Sequence, residues 1–423
     1  MPVAPRLWVP LAGRGPAPTA KPVGTAVRRG ESLTETVAEG TAASLAPADG
    51  RVMAVEQVQL LDGRTVPAVV LDTSPDASVA ESPPPDEPGL SPEDVPAPNL
   101  FGELTASERG GLVETFRLGG VSADRWTSPD LLGQLNQSLR RPVDTVLCTV
   151  LDIDRALPIQ SMLAQAYGAE LAAGVDLVSK AAGATRTWVA MDAALPETFQ
   201  AALRAHLDKV GARLVPLRND YPQANPTLLL YTVLGRRLPP QHLPTETGVL
   251  TLDAAAAVAV GRLARRGEPM LSTPLALYDG RGDRAHFLSV PIGTSLAHVL
   301  GQLSIVPELL VLRGGPPLRD VRVGPGAIVA GSELSAYATL EDPERNPDPC
   351  IRCGWCVEGC PVHIHPAALL EAVQFDDMDL ADDAGLHACI DCGVCSYICP
   401  SRLPLLGGIR MLRKRWTEKM EGR

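Results

Sequence analysis

From about residue 105 to 250 the chain alternates between short continuous apolar runs and stretches whose apolar residues recur every three or four positions. "VDTVLCTVL", "TRTWVAMD" and "ARLVPL" are of the first kind, short enough and rich enough in β-branched residues to predict buried strands. Between them lie "LPIQSMLAQAYGAELAAGVDLVSKAAG" and "PETFQAALRAHLDKVG", which carry the helical period. Strand, helix, strand, helix, strand predicts an α/β layer on a mainly parallel sheet, because a parallel pair needs a crossover helix.

Upstream, residues 1–75 alternate apolar and polar positions between Gly, Asp-Gly and Pro punctuation, which predicts short strands and turns. The phrase "RRGESL…SLAPADGRVMAV" is similar to lipoyl and biotinyl carrier domains. Those present a modifiable lysine at a hairpin tip, whereas here the tip reads Ala46-Pro47-Ala48-Asp49-Gly50. A structural or docking module follows, without a swinging arm. Residues 76–104 are acidic and rich in proline and serine, the composition of a linker that buries little apolar surface. Downstream, "TGVLTLDAAAAVAVGRLARRGEP" predicts a strand running into a helix. "STPLALYDGRGDRAHFLSVPIGTSLAHVLGQL" predicts a hairpin around Asp279-Gly280 and a helix opened by Thr294-Ser295, the parts of a small β-grasp unit. The expected organisation is therefore multidomain α/β and α+β. It runs as a lipoyl-like β-sandwich (1–75), the linker (76–104), an α/β domain (105–250), a β-grasp unit (251–335), a cysteine-rich helical domain (336–410) and a basic tail (411–423).

Composition sharpens this in two ways. Forty prolines and 4% aromatics among 423 residues predict many tight connections and cores built from Ala, Val and Leu. A net charge of −11 argues against nucleic acid as a partner, since phosphate binding needs a basic surface. No apolar run is long enough to span a bilayer, and prolines and arginines interrupt the N-terminal stretch, so the cytoplasm is the expected compartment. In a reducing compartment, an even set of closely spaced cysteines points to metal rather than disulfides.

Eight of the nine cysteines fall into two near-copies of one phrase, "CIRCGWCVEGCP" from Cys350 and "CIDCGVCSYICP" from Cys389. Each has the form C-x2-C-x2-C-x3-C-P. Three cysteines spaced by two residues wrap the backbone around one corner of a 4Fe-4S cubane, and the fourth leaves just before a proline. Zinc sites use pairs of C-x2-C and have no natural place for the third cysteine. In two-cluster ferredoxins the fourth cysteine ligates the other cluster. That scheme assigns Cys350, Cys353, Cys356 and Cys399 to one cluster and Cys389, Cys392, Cys395 and Cys360 to the second. His363, His365 and His387 flank the phrases but find all ligand positions taken. The ninth cysteine, Cys148, lies in an apolar run and reads as a buried thiol. The basic stretch "GGIRMLRKRWTEKMEGR" could lie on an anionic lipid surface, dock an acidic partner or stand in solvent.

In this order, the N-terminal sandwich, "DYPQANPTLLLYTVLGRRLP" with Tyr221, Pro222 and Gln223, "LPTETGVLTLDAAAAVAV", "VPIGTSLAHVL", "VLRGGPPLRD" and the two cluster phrases resemble the RnfC family, the C-subunits of the Rnf electron-transport complex. That family is related to the NADH-oxidising subunit of respiratory complex I. The resemblance implies two 4Fe-4S clusters, and an α/β domain of the flavin/NADH type followed by an SLBB-like β-grasp unit. It also implies a peripheral place on the cytoplasmic face of the inner membrane. The implied partners are membrane-embedded subunits of a redox complex and a soluble donor or acceptor, ferredoxin or NADH.

FMN and NADH are implied as well, yet the residues that would bind them are replaced. The family's glycine-rich phosphate loop corresponds to "GGLVETFRLGGVSADRWTSPD", where only Gly119 and Gly120 survive. Its acidic phrase has become Leu147-Cys148-Thr149-Val150, a lysine has become Asp220 and a glycine Ala224. An electron-transfer subunit on a degenerate α/β scaffold is the main expectation. The alternatives are a flavin-dependent NADH, corrinoid or quinone oxidoreductase, and a protein whose clusters only stabilise its fold.

Overall fold

The computed structural model describes residues 1–11, 18–36, 40–74, 104–240, 242–307, 310–340 and 346–421. All but the last residue of the expected linker lie outside these. The chain forms two compact units: Met1–Pro226 with Pro244–Gly315 and Val321–Leu340, and Thr227–Leu243 with Pro316–Asp320 and Glu341–Arg423.

In the first unit an antiparallel four-stranded sheet orders Arg6–Pro10, Thr65–Asp72, Gly50–Gln59 and Ala26–Val27. Leu7 pairs with Leu71 and Val9 with Val69, which sends one side of the alternation into a core with Val27, Leu33 and Val52. Strand Gly50–Gln59 can start only with glycine, since a Cβ on Gly50 would stand 2.4 Å from the Asp72 carbonyl oxygen.

The second sheet of this unit is wholly parallel. Its order is Arg213–Leu217, Arg186–Asp192, Thr145–Thr149, Val249–Asp253. Thr145–Thr149 is buried at every position, which is why its sequence is an unbroken apolar run instead of an alternation. The long helical stretch after it is two helices, Ile159–Ala166 and Gly168–Ala182. The second of these packs on helix Ala254–Arg266 at backbone contact. A Cβ on Gly174 would lie 1.8 Å from the Ala257 carbonyl oxygen, and one on Gly261 1.8 Å from that of Glu170. The sheet that follows has five strands, ordered Arg284–Pro291, Ser272–Asp279, Ser335–Thr339, Val311–Gly314, Val321–Arg322, with helix Leu296–Gln302 on its core. Only the Ser272–Asp279 and Ser335–Thr339 pair is parallel.

Three expected boundaries fall inside elements and are corrected. The division at 250/251 cuts strand Val249–Asp253, an edge of the parallel sheet. That at 335/336 cuts strand Ser335–Thr339, the middle of the five-stranded sheet. That at 410/411 cuts helix Leu405–Glu421, so the basic stretch continues a helix instead of trailing from the domain. Each boundary was set by local composition, whereas strand pairing and helix packing join residues distant in sequence.

Candidate metal centre

The two cysteine phrases build the same backbone twice, 39 residues apart. Arg352 and Asp391 are left-handed (φ 55° and 57°), and so are Gly354 and Gly393 (81° and 77°). His363 and Arg402, three residues past the last cysteine of each copy, repeat the turn at 57° and 55°. In both copies the amide two residues after the first cysteine donates to its sulfur, Arg352 N to Cys350 Sγ and Asp391 N to Cys389 Sγ, each at 3.4 Å. One helical turn then follows, Trp355–Glu358 or Val394–Tyr397. The loop thus aims backbone N–H groups at sulfur, the usual support of a thiolate cluster. Gly393 has no alternative, because a Cβ there would come 1.7 Å from the Leu318 carbonyl oxygen.

Around these loops pack helices Pro366–Phe375, Met378–Asp383 and Leu405–Glu421, through Leu369, Ala372, Ala381, Leu386, Leu405, Ile409 and Leu412. The core takes in Cys360, Cys395 and the edges of Cys356, Cys389 and Cys399. No disulfide joins any of the cysteines. Cys350 and Cys353 are exposed, whereas Cys360, Cys392 and Cys395 are only 7%, 7% and 8% exposed.

The electrostatics show which sulfurs are neighbours. Cys389, Cys392 and Cys395 each feel the charge of Cys360, the trailing cysteine of the other copy. Cys356 feels Cys399 and Cys353. The chain therefore brings Cys360 to the second phrase and Cys399 to the first. Cys350 is placed by its own loop, through the Arg352 amide. Burial, then the neighbouring sulfurs, pushes Cys395 up to about 12. Burial pushes Cys392 up to about 11 against the Val394 amide, and raises Cys389 against the charge of Arg413. Protonated soft sulfurs gathered this way fit a metal that displaces their protons on binding. Among the described residues no three ligand-type side chains close on a point as they would around a single ion. The corners of a cubane are set further apart.

The histidines have other work. His365 caps helix Pro366–Phe375, its Nδ1 accepting from Ala368 N at 3.0 Å. His387 stands edge-on to Trp416 with ring centres 4.6 Å apart, which ties the basic helix to the cysteine loops. Reasoning from sequence missed the charges around the second phrase. Asp391 accepts two bonds from Arg410, at 2.8 and 2.7 Å, and lies 3.4 Å from Arg319. Arg413 donates to the carbonyls of Leu386 and Cys389. A signal was present: at the one position where copy one has Arg352, copy two has Asp391.

The C-terminal edge of the parallel sheet, where nucleotides bind in open α/β folds, is occupied by the protein itself. Asp253 ends strand Val249–Asp253 and caps helix Ala254–Arg266 through the Ala256 N–H, at 2.9 Å. Arg125 grips both its carboxylate oxygens at 2.9 and 2.6 Å, and Thr127 donates to it at 2.8 Å. The pair is 4% and 0% exposed. Burial alone would raise the Asp253 carboxyl, but the Arg125 charge and these hydrogen bonds hold it below its ordinary range. A phosphate brought to this helix terminus would meet a carboxylate, so the residues here do not fit that role.

The two surviving glycines serve packing. A Cβ on Gly119 would strike Leu263 at 2.4 Å, and one on Gly120 (φ 69°) would press on Leu45 at 3.0 Å. Leu147, Cys148, Thr149 and Val150 are all buried, Cys148 with its thiol pushed up by burial and by Asp253. Asp220 forms an exposed pair with Arg218 at 2.6 Å, and Ala224 is buried. Trp126 and Tyr221 stack on each other with centres 6.0 Å apart.

Residues 349–404 match the family described as "4Fe-4S dicluster domain", and residues 133–262 the "Nuo51 FMN-binding domain". The C-subunit of the ion-translocating oxidoreductase complex of Rhodobacter capsulatus is 27% identical over 386 residues, 88% of this chain and 70% of that protein. A cobalamin reductase of Citrobacter freundii is 26% identical over 302 residues, 65% of this chain and 66% of that protein. Among solved structures, an NAD+-reducing NiFe hydrogenase in the H2-reduced state shares the fold, with a TM-score of 0.50 and 16% identity. That likeness covers 75% of this chain and 63% of the hydrogenase chain. Residues 349–404 thus match a dicluster domain for two 4Fe-4S clusters and residues 133–262 an Nuo51-type domain, and the chain as a whole is similar to the C-subunits of ion-translocating oxidoreductase complexes.

Proposed function

We propose that the chain relays electrons through two 4Fe-4S clusters between a soluble donor and a membrane redox complex of the Rnf type. Cys350, Cys353, Cys356 and Cys399 would hold one cluster, and Cys389, Cys392, Cys395 and Cys360 the other. What supports this is that the Cys360 charge acts on Cys389, Cys392 and Cys395, and the Cys399 charge on Cys356. Crossed ligation holds two clusters close together, and bound clusters supply one-electron chemistry. The protein's part is to fix the sulfurs, to direct the amides of Arg352 and Asp391 at them, and to shield one set from water.

No helix among the described residues is long and apolar enough to cross a membrane. The place read for the chain is at the cytoplasmic face, on membrane-embedded partner subunits. The N-terminal antiparallel sheet is read as lipoyl-like and the five-stranded sheet as SLBB-like, both as scaffold or docking surfaces. The Citrobacter cobalamin reductase favours a second reading, a corrinoid reductase with its own flavin. The occupied edge of the parallel sheet weighs against it.

Anaerobic purification with iron and sulfide analysis and an optical spectrum tests the proposal. About eight irons and eight sulfides per chain are expected, and zinc in a colourless protein would overturn it. Replacing Cys360 with Ser should impair the cluster of Cys389, Cys392 and Cys395 and spare the other. Loss of the first phrase's cluster alone would refute the crossed scheme.

A further inference from the structure

The two copies repeat their backbone but not their electrostatics. Copy one places Arg352 in solvent, where water and salt screen its charge. Copy two sets two arginines about one carboxylate and a third beside Cys389. Arg410 and Arg319 converge on Asp391, and Arg410 also donates to the Arg319 carbonyl at 2.8 Å. Arg413 stands apart from that group. It is half-buried, its hydrogen bonds go to the carbonyls of Leu386 and Cys389, and among the described residues no carboxylate pairs with it. The helix that carries it is locked on this core by Ile409, Leu412 and Trp416. A cation so held, beside a cysteine whose partner sulfurs are buried, acts through a medium that screens weakly.

We infer that Arg413 is a potential-setting residue: its charge raises the reduction potential of the cluster held by Cys389, Cys392, Cys395 and Cys360 and leaves the other nearly untouched. The inference rests on the ligand reading above. Reduction adds one electron to a cluster, so a fixed positive charge nearby stabilises the reduced state. No atom moves and no proton is needed. Asp391 works in the opposite sense, since its negative charge only partly cancels Arg410, Arg319 and Arg413.

The test is an EPR-monitored titration of the whole chain with dithionite as the electron source. Arg413→Gln keeps donors for the two carbonyls and removes the charge. It should lower the midpoint of one of two reduction steps, with iron content unchanged, and Arg413→Lys should restore most of the difference. Asp391→Asn should move the same step upward, and provides the measurement if Arg413→Gln does not assemble. Two clusters present with both midpoints unmoved would overturn the inference, as would equal shifts in the Gln and Lys variants or a downward shift in Asp391→Asn. Absence of clusters from the unaltered protein would instead overturn the electron-relay reading itself.

Discussion

At the scale of single residues, the buried carboxylates of the α/β region behave in opposite ways. Asp253 has an arginine and is held below its ordinary range. Asp152 has none: burial pushes it up to about 6, against hydrogen bonds from Ser161 and the Gln160 amide. The sign of the pH effect follows. A folded-state value above the unfolded one means stability is fully present below pH 3.8 and declines as pH rises through about 6. Asp152→Asn, which stays neutral, should flatten that decline, raising the melting temperature at pH 8 and changing little near pH 4. Equal effects at both pH values would refute it. None of this was legible from composition, since Asp152 and Asp253 are each one acidic residue at the end of an apolar run. Their difference comes from Arg125, which is 128 residues away from Asp253.

Among elements, period and punctuation did most of the work. The five predicted strands and helices from 145 to 217 are all present, because an apolar run or a three-to-four repeat is a local property of the chain. One helix became two at Tyr167-Gly168, where the helical period alone signals no break. The close crossing of Gly168–Ala182 and Ala254–Arg266 was also invisible, since an isolated glycine in a helix shows no partner. Gly261→Ala places a methyl 1.8 Å from the Glu170 carbonyl oxygen. The helices must separate, at a cost of at least about 2 kcal/mol. Circular dichroism should show an early melting step with cluster content retained, and an unchanged melting curve would contradict the backbone contact.

For the whole molecule, the decisive feature is what lies at the C-terminal edge of the parallel sheet. Residues from a loop (Arg125, Thr127), a strand end (Asp253) and a helix (Gln160) meet there in one hydrogen-bonded group. Such a group is stable as a set: removing one member strands the others without partners. Titration of the purified protein with FMN, followed by flavin fluorescence, should therefore show no saturable quenching up to about millimolar flavin. Flavin that copurifies in stoichiometric amount would show that the edge still binds it.

The amino-acid order by itself determined the elements, the doubled cysteine phrase and the chemistry those sulfurs suit, because all three are written in spacings of a few residues. The likeness to the RnfC family added the expectation that the flavin loop and its acidic partner phrase are replaced. Only the tertiary structure decided that Arg413 comes to rest beside Cys389 and that Arg125 closes on Asp253. Those are encounters between residues tens to more than a hundred positions apart. They depend on which helices and strands pack together, and short-range pattern carries no record of that.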